Sequence, residues 1–269
     1  MRKVAILLIA CGTFYGQDAP PAAPAPPAPV NPVISNEGKP MLVPFRCTDE
    51  DMRVAGLTCS EDDPCPVYLE LSTMESTGIR MFTAGNLHTG DATLFSILLG
   101  SEDNGLTWRE MADRVRSAGF DHVQFADVES GWVSGTSFSP LPQDPFFLMT
   151  TDGGKAWRRR DIFSETRFGA IQQFFFEDKK TGSLAIDRGP GSGSDRYELY
   201  ESNDGGETWN IRETNVKSIR LKRAPTAPNP DWRVRADGPS KSFHLERRQG
   251  QRWTSLAAFK VDVGACKPE

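Results

Sequence analysis

Three segments of the chain share the pattern [ST]-x-D-x-G-x-x-W, and this repeat constrains the fold more than any other feature of the sequence. The copies run from Ser101 to Trp108, from Thr150 to Trp157 and from Ser202 to Trp209, and a degenerate fourth copy keeps Gly250 and Trp253. Successive Trp residues lie 49, 52 and 44 positions apart. A period of this length predicts an array of similar supersecondary units rather than a single irregular domain.

Each residue type in the pattern has a physical task. The Asp carboxylate can accept hydrogen bonds from nearby backbone N–H groups in a tight turn, and Gly supplies the positive φ that such turns need. The Trp opens the next strand and buries a large ring. We therefore predict a hairpin turn with its own anchor in each copy. The box residues of the three complete copies are Ser101, Asp103, Gly105, Trp108, Thr150, Asp152, Gly154, Trp157, Ser202, Asp204, Gly206 and Trp209.

A second motif has the same period. Phe125-Ala-Asp127-Val-Glu-Ser-Gly131-Trp132 aligns with Phe176-Glu-Asp178-Lys-Lys-Thr-Gly182-Ser183, which indicates a strand, an acidic turn and another strand. The flanking segments read as short strands, about four per repeat, and we expect the first strand of the fourth repeat at 218–222. A propeller blade is a four-stranded sheet, so four strands per repeat correspond to one blade per repeat. The sequence predicts an all-β fold, a small propeller of four, alternatively five, four-stranded antiparallel blades over residues 41–269. Residues 41–66 are expected to add a closing strand or part of a fifth blade, and the two ends of the domain are expected to meet.

The boxes resemble the Asp-box (BNR) repeat of sialidases and related secreted propellers. The added Phe-x-Asp half-repeat is similar to the photosystem II assembly and stability factors and their bacterial relatives. The resemblance covers roughly residues 67–255 and implies the fold. It does not imply a function, because propellers host enzymes, lectins and scaffolds.

Sialidase chemistry, as the resemblance implies it, needs three Arg, a Tyr–Glu nucleophile pair and an Asp, with the first Arg in a Phe-Arg-Ile-Pro motif. The nearest match here is Phe45-Arg46-Cys47-Thr48, which lacks the Ile-Pro. We therefore expect no enzymatic activity, no catalytic residues, no metal and no cofactor. A carbohydrate-binding or glycoside-hydrolase propeller and a structural envelope module remain the alternatives.

The N-terminal segment predicts export. Arg2 and Lys3 precede a short apolar run that ends at Cys11, and Leu-x-Ala-Cys resembles the bacterial lipobox, so Cys11 is the candidate lipidation site. Residues 1–17 are read as a signal or lipobox region, with secretion of a freely soluble chain as the alternative. Residues 18–40 are read as a linker, since seven Pro fall within positions 18–32 and favour an extended, stiff spacer without a fixed fold. We expect a periplasmic or envelope location.

Four cysteines follow Cys11, an even count that predicts two disulfides in an exported protein. Three pairings are conceivable. Cys59 and Cys65 flank a short acidic loop, so a local bridge is favoured there, which leaves Cys47 with Cys266. The loop closed by that second bridge is very long, and the entropic model predicts a stabilisation of roughly 4–5 kcal/mol.

Charge is distributed unevenly along the chain. The net charge is −5, which gives no reason to expect a nucleic-acid partner. Residues 46–110 hold 4 basic and 12 acidic residues (net −8), whereas residues 215–260 hold 11 basic and 3 acidic ones (net +8). The basic segment predicts a patch for a protein with an acidic surface, and a solvated polar face of alternating strands is the alternative. The candidate patch consists of Lys217, Arg220, Lys222, Arg223, Arg233, Arg235, Arg247, Arg248 and Arg252.

Taken together, the sequence favours a non-enzymatic exported propeller that binds a macromolecular partner and meets a membrane only through an anchor at Cys11.

Overall fold

The computed structural model describes residues 31–138, 144–165, 167–221, 229–262 and 264–268. Cys11 and residues 1–30 lie outside them, and no helix within them is long and apolar enough to cross a membrane. In chain order the elements are β1 (Ile34–Ser35), β2 (Met41–Val43), α1 (Asp49–Ala55), β3 (Cys65–Pro66), β4 (Tyr68–Thr77), β5 (Arg80–His88), β6 (Thr93–Ser101), β7 (Thr107–Glu110), β8 (Ala118–Phe125), β9 (Gly131–Ser137), β10 (Asp144–Thr150), β11 (Arg158–Asp161), β12 (Ala170–Phe176), β13 (Gly182–Asp187), β14 (Tyr197–Ser202), β15 (Asn210–Asn215), β16 (Trp232–Asp237), β17 (Ser242–Gln249), β18 (Arg252–Val261) and β19 (Ala265–Cys266).

The strands form four blade-like sheets, so the fold is the predicted small propeller. Blade 1 has the order β4-β5-β6-β7 with β1 added outside β7, blade 2 is β8-β9-β10-β11 and blade 3 is β12-β13-β14-β15. All neighbouring strands in these sheets are antiparallel, as expected for a chain that meanders through short hairpins.

Blade 4 departs from the prediction in two ways. Its order is β16-β17-β18-β2, and β2 pairs with β18 in parallel, so a segment from the beginning of the described chain supplies its outer strand. The strand expected at 218–222 is absent where the chain is described, since residues 218–221 are irregular and Lys222 lies outside the described residues. A closing strand within residues 41–66 was one of the predicted possibilities, although Met41-Leu-Val43 is too short to mark its position. The strand predicted at 218–222 was wrong for the residues described, because alternation of residue types does not guarantee a strand.

The segment before β2 also belongs to the folded domain. Ile34 and Ser35, which the sequence reading places in the linker, pair with Trp108 and Thr107 of β7. The side-chain amide of Asn36 donates to the carbonyls of Gly105 and Leu256, 2.9 and 2.8 Å away. Residues from Ile34 onward therefore belong to the folded domain and not to the predicted linker of residues 18–40.

Two disulfides tie the ends of the domain together. Cys47 is bonded to Cys266 and Cys59 to Cys65, the pairing that the sequence favoured. The short strands β3 and β19 pair antiparallel, with Cys65 opposite Cys266, so both bridges lie in one place. The first and last parts of the described domain are thus fastened covalently next to each other.

Three clusters of buried apolar side chains form the core, and each joins two neighbouring blades. One cluster joins blade 4 to blade 1 and includes Trp108 and Phe259, whose rings meet edge to face at 5.1 Å. A second joins blades 1 and 2, where Phe82 stacks on Phe125 at 4.7 Å. The third joins blades 2 and 3. The core is therefore divided among the joints of the ring.

Candidate functional site

The three complete boxes form the turns between the third and fourth strands of blades 1, 2 and 3. In the first, the Ser101 hydroxyl donates to Asp103 Oδ1 (2.8 Å) and accepts from the N–H of Gly105 (2.8 Å). Asp103 also accepts from the Thr107 N–H (2.9 Å) and hydroxyl (2.6 Å). Gly105 has a φ of 85°, the left-handed region that the turn requires. The same network recurs around Asp204, and also around Asp152 except that Ala156 stands in place of the Thr and has no hydroxyl to donate.

The box tryptophans anchor the turns and the joints between blades. The indole N–H groups of Trp108 and Trp157 donate to the carbonyls of Gly105 and Gly154, at 3.1 and 3.0 Å. In the third box, the buried indole nitrogen of Trp209 has no hydrogen-bond partner. The box residues thus complete their hydrogen bonds mainly within their own turns, which is a structural arrangement rather than a binding one.

The half-repeat holds the neighbouring turn and reaches across a joint. Asp127 accepts from the N–H groups of Glu129 and Ser130, at 2.8 and 2.6 Å, and Asp178 does the same in blade 3. Trp132, the last residue of the first copy of the motif, stacks on Phe176 of blade 3 with ring centroids 3.7 Å apart and donates to the carbonyl of Gly205 at 2.8 Å.

The degenerate fourth copy occupies a different place in its sheet. Gly250, with a φ of 62°, lies in the turn between β17 and β18, the second and third strands of blade 4. Trp253 opens β18, and its ring lies 4.4 Å beneath the guanidinium of Arg233. Loss of the Ser and Asp leaves a hairpin without the hydrogen-bond network of the other boxes.

The predicted basic patch does not form one surface. Arg233 and Arg248 lie on one face of blade 4, whereas Arg247 lies on the other face, over the ring of Trp232. Lys217 and Arg220 belong to the irregular segment before the blade, Arg252 begins β18, and Lys222 and Arg223 lie outside the described residues. The split has a simple cause, because adjacent residues of a strand point to opposite faces.

Two members of the patch are already paired. Arg233 and Arg235 both donate from Nε to the buried carboxylate of Glu246, at 2.6 and 2.7 Å. Both guanidiniums hold the pKa of Glu246 below its usual value, although its burial opposes them. The pair therefore balances an internal charge first and offers less positive potential to a partner than the sequence suggests.

A channel between the inner strands is the better candidate site, and the sequence did not predict it. The inner strands β4, β8 and β12 each carry a bulge, at Ser72, Asp121 and Gln172. These bulged residues are 49 and 51 positions apart, so they occupy equivalent places in the repeat. A bulge adds an unpaired residue and redirects its side chain. Asp121 and Gln172 line the channel, while Ser72 bonds the carbonyl of Phe120 in the next blade.

A second layer of equivalent positions lies three residues further along each strand, at Glu75, Gln124 and Phe175, and all three side chains line the channel. Gln124 also clamps the joint to blade 3, since its amide exchanges two hydrogen bonds with the backbone of Phe176, at 2.8 and 2.9 Å. The channel has a volume of about 640 Å³. On the fourth side its wall is the irregular segment containing Ser218 and Arg220 rather than a strand.

The titratable groups of the channel are strongly perturbed. Burial raises the pKa of Asp121 to about 6, and the nearby charge of Glu70 adds to the effect, while a hydrogen bond with Thr136 opposes it. The Asp121 side chain is nevertheless exposed to solvent, because it faces the open channel while protein surrounds it on the other sides. Burial lowers the pKa of His122 to about 4, which keeps its imidazole neutral, and its Nδ1 lies 3.3 Å from the hydroxyl of Thr73.

Further groups complete the wall. Burial also raises the pKa of Glu75, whose carboxylate accepts from the Asn229 amide at 3.0 Å. The channel therefore offers carboxyl groups from blades 1 and 2, the Gln172 amide and the Arg220 guanidinium to a polar occupant. No three His, Cys, Asp or Glu side chains in the described part of the chain are grouped closely enough to hold a metal ion.

No family model matches the chain, and no curated protein matches it. Among solved structures it is similar to one described as YCF48 bound to D1 peptide, with 17% identity over 71% of this chain and 54% of that one, at a TM-score of 0.40. It is also similar to a polysaccharide lyase of family 25, an ulvan lyase, with 11% identity over 76% of this chain and 53% of that one, at a TM-score of 0.40. The chain spans about half the length of these two structures.

Proposed function

We propose that this domain is a non-enzymatic binding propeller that holds a macromolecular partner, most simply a protein, at its central channel. The observation that supports it is the channel itself, a cavity of about 640 Å³ with both polar and apolar lining residues, three of which (Glu75, Gln124 and Phe175) come from equivalent places in three repeats. The boxes, in contrast, use their polar groups to hold their own turns. Export, with an anchor at Cys11, is part of the same proposal and is supported by the two disulfides.

A photo-crosslinking experiment tests the binding site. A photoreactive amino acid replaces Ile219, which lines the channel, or Val128, an exposed turn residue that is not part of the channel lining, in the full-length chain. We expect Ile219 to capture a defined protein from native envelopes and Val128 not to. Asp121→Asn combined with Gln172→Ala should reduce that capture, whereas Asp91→Asn, at an exposed turn, should leave it unchanged. Equal capture from both crosslinking positions would count against the channel.

We also propose that the partner carries an acidic surface. A test of this by charge reversal has to avoid the basic residues that pair with a buried carboxylate. Reversal of Arg233 or Arg235 would confront the buried Glu246 with a like charge and destabilise the fold. Reversal of the exposed Arg220, Arg248 and Arg252 to Glu avoids that problem. We expect weaker capture from this triple variant than from reversal of Lys39, Lys155 and Lys179, which changes the net charge equally. Equal capture would remove the acidic surface from the proposal.

One observation favours a carbohydrate-active alternative. A carboxyl group with a pKa of about 6 in an open channel, as at Asp121, has the protonation behaviour of a general acid at neutral pH. Turnover of any member of a panel of fluorogenic glycosides, lost in Asp121→Asn, would support this alternative. It would also contradict the non-enzymatic proposal.

A further inference from the structure

The outer edge of blade 1 is occupied by a segment of the chain itself. Strand β1 pairs antiparallel with β7, with Ile34 opposite Trp108, and the N–H of Asn36 donates to the carbonyl of Leu106 at 2.9 Å. The side chain of Ile34 packs against the apolar cluster that joins blades 4 and 1. With this cover in place, only 1% of Trp108 is exposed. The blade thus shows how the outer edge of a box strand binds an extended segment.

The equivalent edge of blade 3 is open to solvent. Its outer strand β15 ends the sheet in the described part of the chain, and its residues from Asn210 to Thr214 are all exposed. Trp209, which holds the place of Trp108 in the third box, is only partly buried. An edge strand presents backbone N–H and C=O groups with which a further strand can pair.

Charged residues dominate the corresponding edge of blade 2. Its outer strand β11 consists of Arg158, Arg159, Arg160 and Asp161. Arg158 forms an ion pair with Glu207 of blade 3, and Arg160 donates to the Glu207 carbonyl at 3.1 Å. Charges on an edge strand disfavour its pairing with another strand. Blade 3 therefore has the edge that is better suited to receive one.

The open stretch of β15 has defined ends. Before it, the carbonyl of Glu207 already accepts from the guanidinium of Arg160. After it, the hydroxyl of Thr214 donates to the carboxylate of Asp195 at 2.9 Å. A docking strand would therefore pair with residues 209–213.

A groove of about 550 Å³ lies beside this stretch, between blade 3 and the segment that follows β11. Ile211 pairs with Tyr200, so both side chains lie on the face of blade 3 that packs against blade 2. Trp209 belongs to the same apolar cluster as Tyr200. Ile211 is nevertheless 51% exposed, which is unusual for a large apolar side chain beside a core. The apolar side chains that line the groove are Ile162, Phe163, Tyr200, Trp209 and Ile211.

A strand added to β15 would place one side chain directly in this groove. Residues that face each other across an antiparallel pair have their side chains on the same face of the sheet. The residue opposite Trp209 would therefore point to the groove, as Ile34 points to the apolar joint beside Trp108 in blade 1.

We propose that the open edge of blade 3 is a second binding site, which takes an extended protein segment as an antiparallel strand with an apolar side chain opposite Trp209. The chemistry of the occupant follows from blade 1, where Ile34 holds the equivalent place. In this mode backbone hydrogen bonds supply affinity, and the groove selects the side chain. The residues that line the groove are distinct from those that line the channel, so this site is independent of the proposed channel function.

A peptide with the sequence of residues 31–38 is the probe, because this segment already pairs with the equivalent edge of blade 1. It carries a photoreactive leucine at the position of Ile34 and is mixed with the folded, full-length protein. We expect saturable binding and, after irradiation, crosslinks to residues around Trp209 and Ile211. The same peptide with Ile34→Asp in place of the photoreactive residue should not compete for the site, because the groove would have to bury its charge.

A matched pair of variants tests the groove. Ile211→Lys places a charge in the groove and should weaken binding of the peptide roughly tenfold, since it removes an apolar contact of the size of one isoleucine. Ile79→Lys is the control, because Ile79 is 58% exposed in the turn between β4 and β5 and does not line the groove. We expect it to leave binding unchanged.

Equal affinity of the two variants, or an absence of saturable binding, would overturn the site. Crosslinks to residues 106–110 would mean that the peptide exchanges with β1 on blade 1, and they would overturn it as well. The crosslinks are mapped on the unaltered chain, so the test remains decisive if circular dichroism shows that Ile211→Lys does not fold. Capture of a protein at Ile219 reports on the channel alone, which separates failure of this site from failure of the proposed function.

Discussion

The disulfide between Cys47 and Cys266 closes a loop of 219 residues, whereas Cys59–Cys65 closes one of 6. In the chain-entropy model the stabilisation grows with the logarithm of loop length, which gives about 5 kcal/mol for the long loop and about 2 kcal/mol for the short one. We therefore predict that replacement of Cys47 and Cys266 by Ala lowers the free energy of unfolding by about 3 kcal/mol more than replacement of Cys59 and Cys65. Cys266 is fully buried, so its lost packing would add to the difference.

Urea unfolding under non-reducing conditions, followed by circular dichroism and tryptophan fluorescence, measures this difference. The long-loop variant should also show a steeper dependence on urea, because its unfolded chain is free to expand and exposes more surface. The short-loop variant is the matched control, since it removes the same number of sulfur atoms. An equal or smaller loss for the long-loop variant would refute the assignment of its effect to the unfolded chain.

Three further predictions follow from the joints and the channel. Between pH 4 and 6, the raised pKa of Asp121 makes the stability of the fold fall as pH rises, whereas the lowered pKa of His122 makes it rise. The melting temperature of Asp121→Asn, which keeps only the histidine effect, should therefore increase with pH, and that of His122→Gln should decrease. Parallel melting profiles of the two variants would contradict both pKa shifts. Trp132→Phe removes a buried indole donor and leaves the Gly205 carbonyl unpaired, so we expect it to lower the free energy of unfolding by about 2 kcal/mol, measured by urea unfolding. A decrease of less than about 0.5 kcal/mol would be inconsistent with that hydrogen bond. Gln124→Leu removes two hydrogen bonds to blade 3 and should lower the free energy of unfolding by a similar amount. An unchanged urea midpoint would contradict the contribution of these bonds.

The sequence predicted the parts of the fold that have a local cause. Asp103 and Gly105 form their turn through contacts within a few residues, so the pattern alone was enough to place a hairpin there. The parallel pairing of Met41–Val43 with Phe259–Val261 has no local cause, because it depends on two chain ends that meet only in the folded ring. The sequence indicated that the two ends of the domain meet and that residues 41–66 could add a closing strand, but three apolar residues specify neither the partner strand nor its parallel direction.

The candidate site was harder to predict than the fold for a related reason. Asp121 and Gln172 enter the channel because each is the unpaired residue of a bulge, and a bulge in a strand leaves no distinct residue pattern. Their spacing of 51 residues matches the box period and could have marked them as equivalent. The prediction of one basic patch had a different weakness, because it assumed that residues close in sequence lie on the same surface. Arg247 and Arg248 are adjacent in sequence but face opposite sides of one sheet.

The ten residues from Ile34 to Val43 contribute to both the first and the fourth blade, since β1 extends blade 1 and β2 completes blade 4. The partner of β2 is β18, which is among the last strands in chain order. Contacts of such long sequence separation form slowly, so we expect these first described strands to be among the last to dock during folding. Until they dock, blade 1 has an unpaired edge and blade 4 has three strands, so a protein that captured residues 34–43 would arrest assembly at a nearly complete ring.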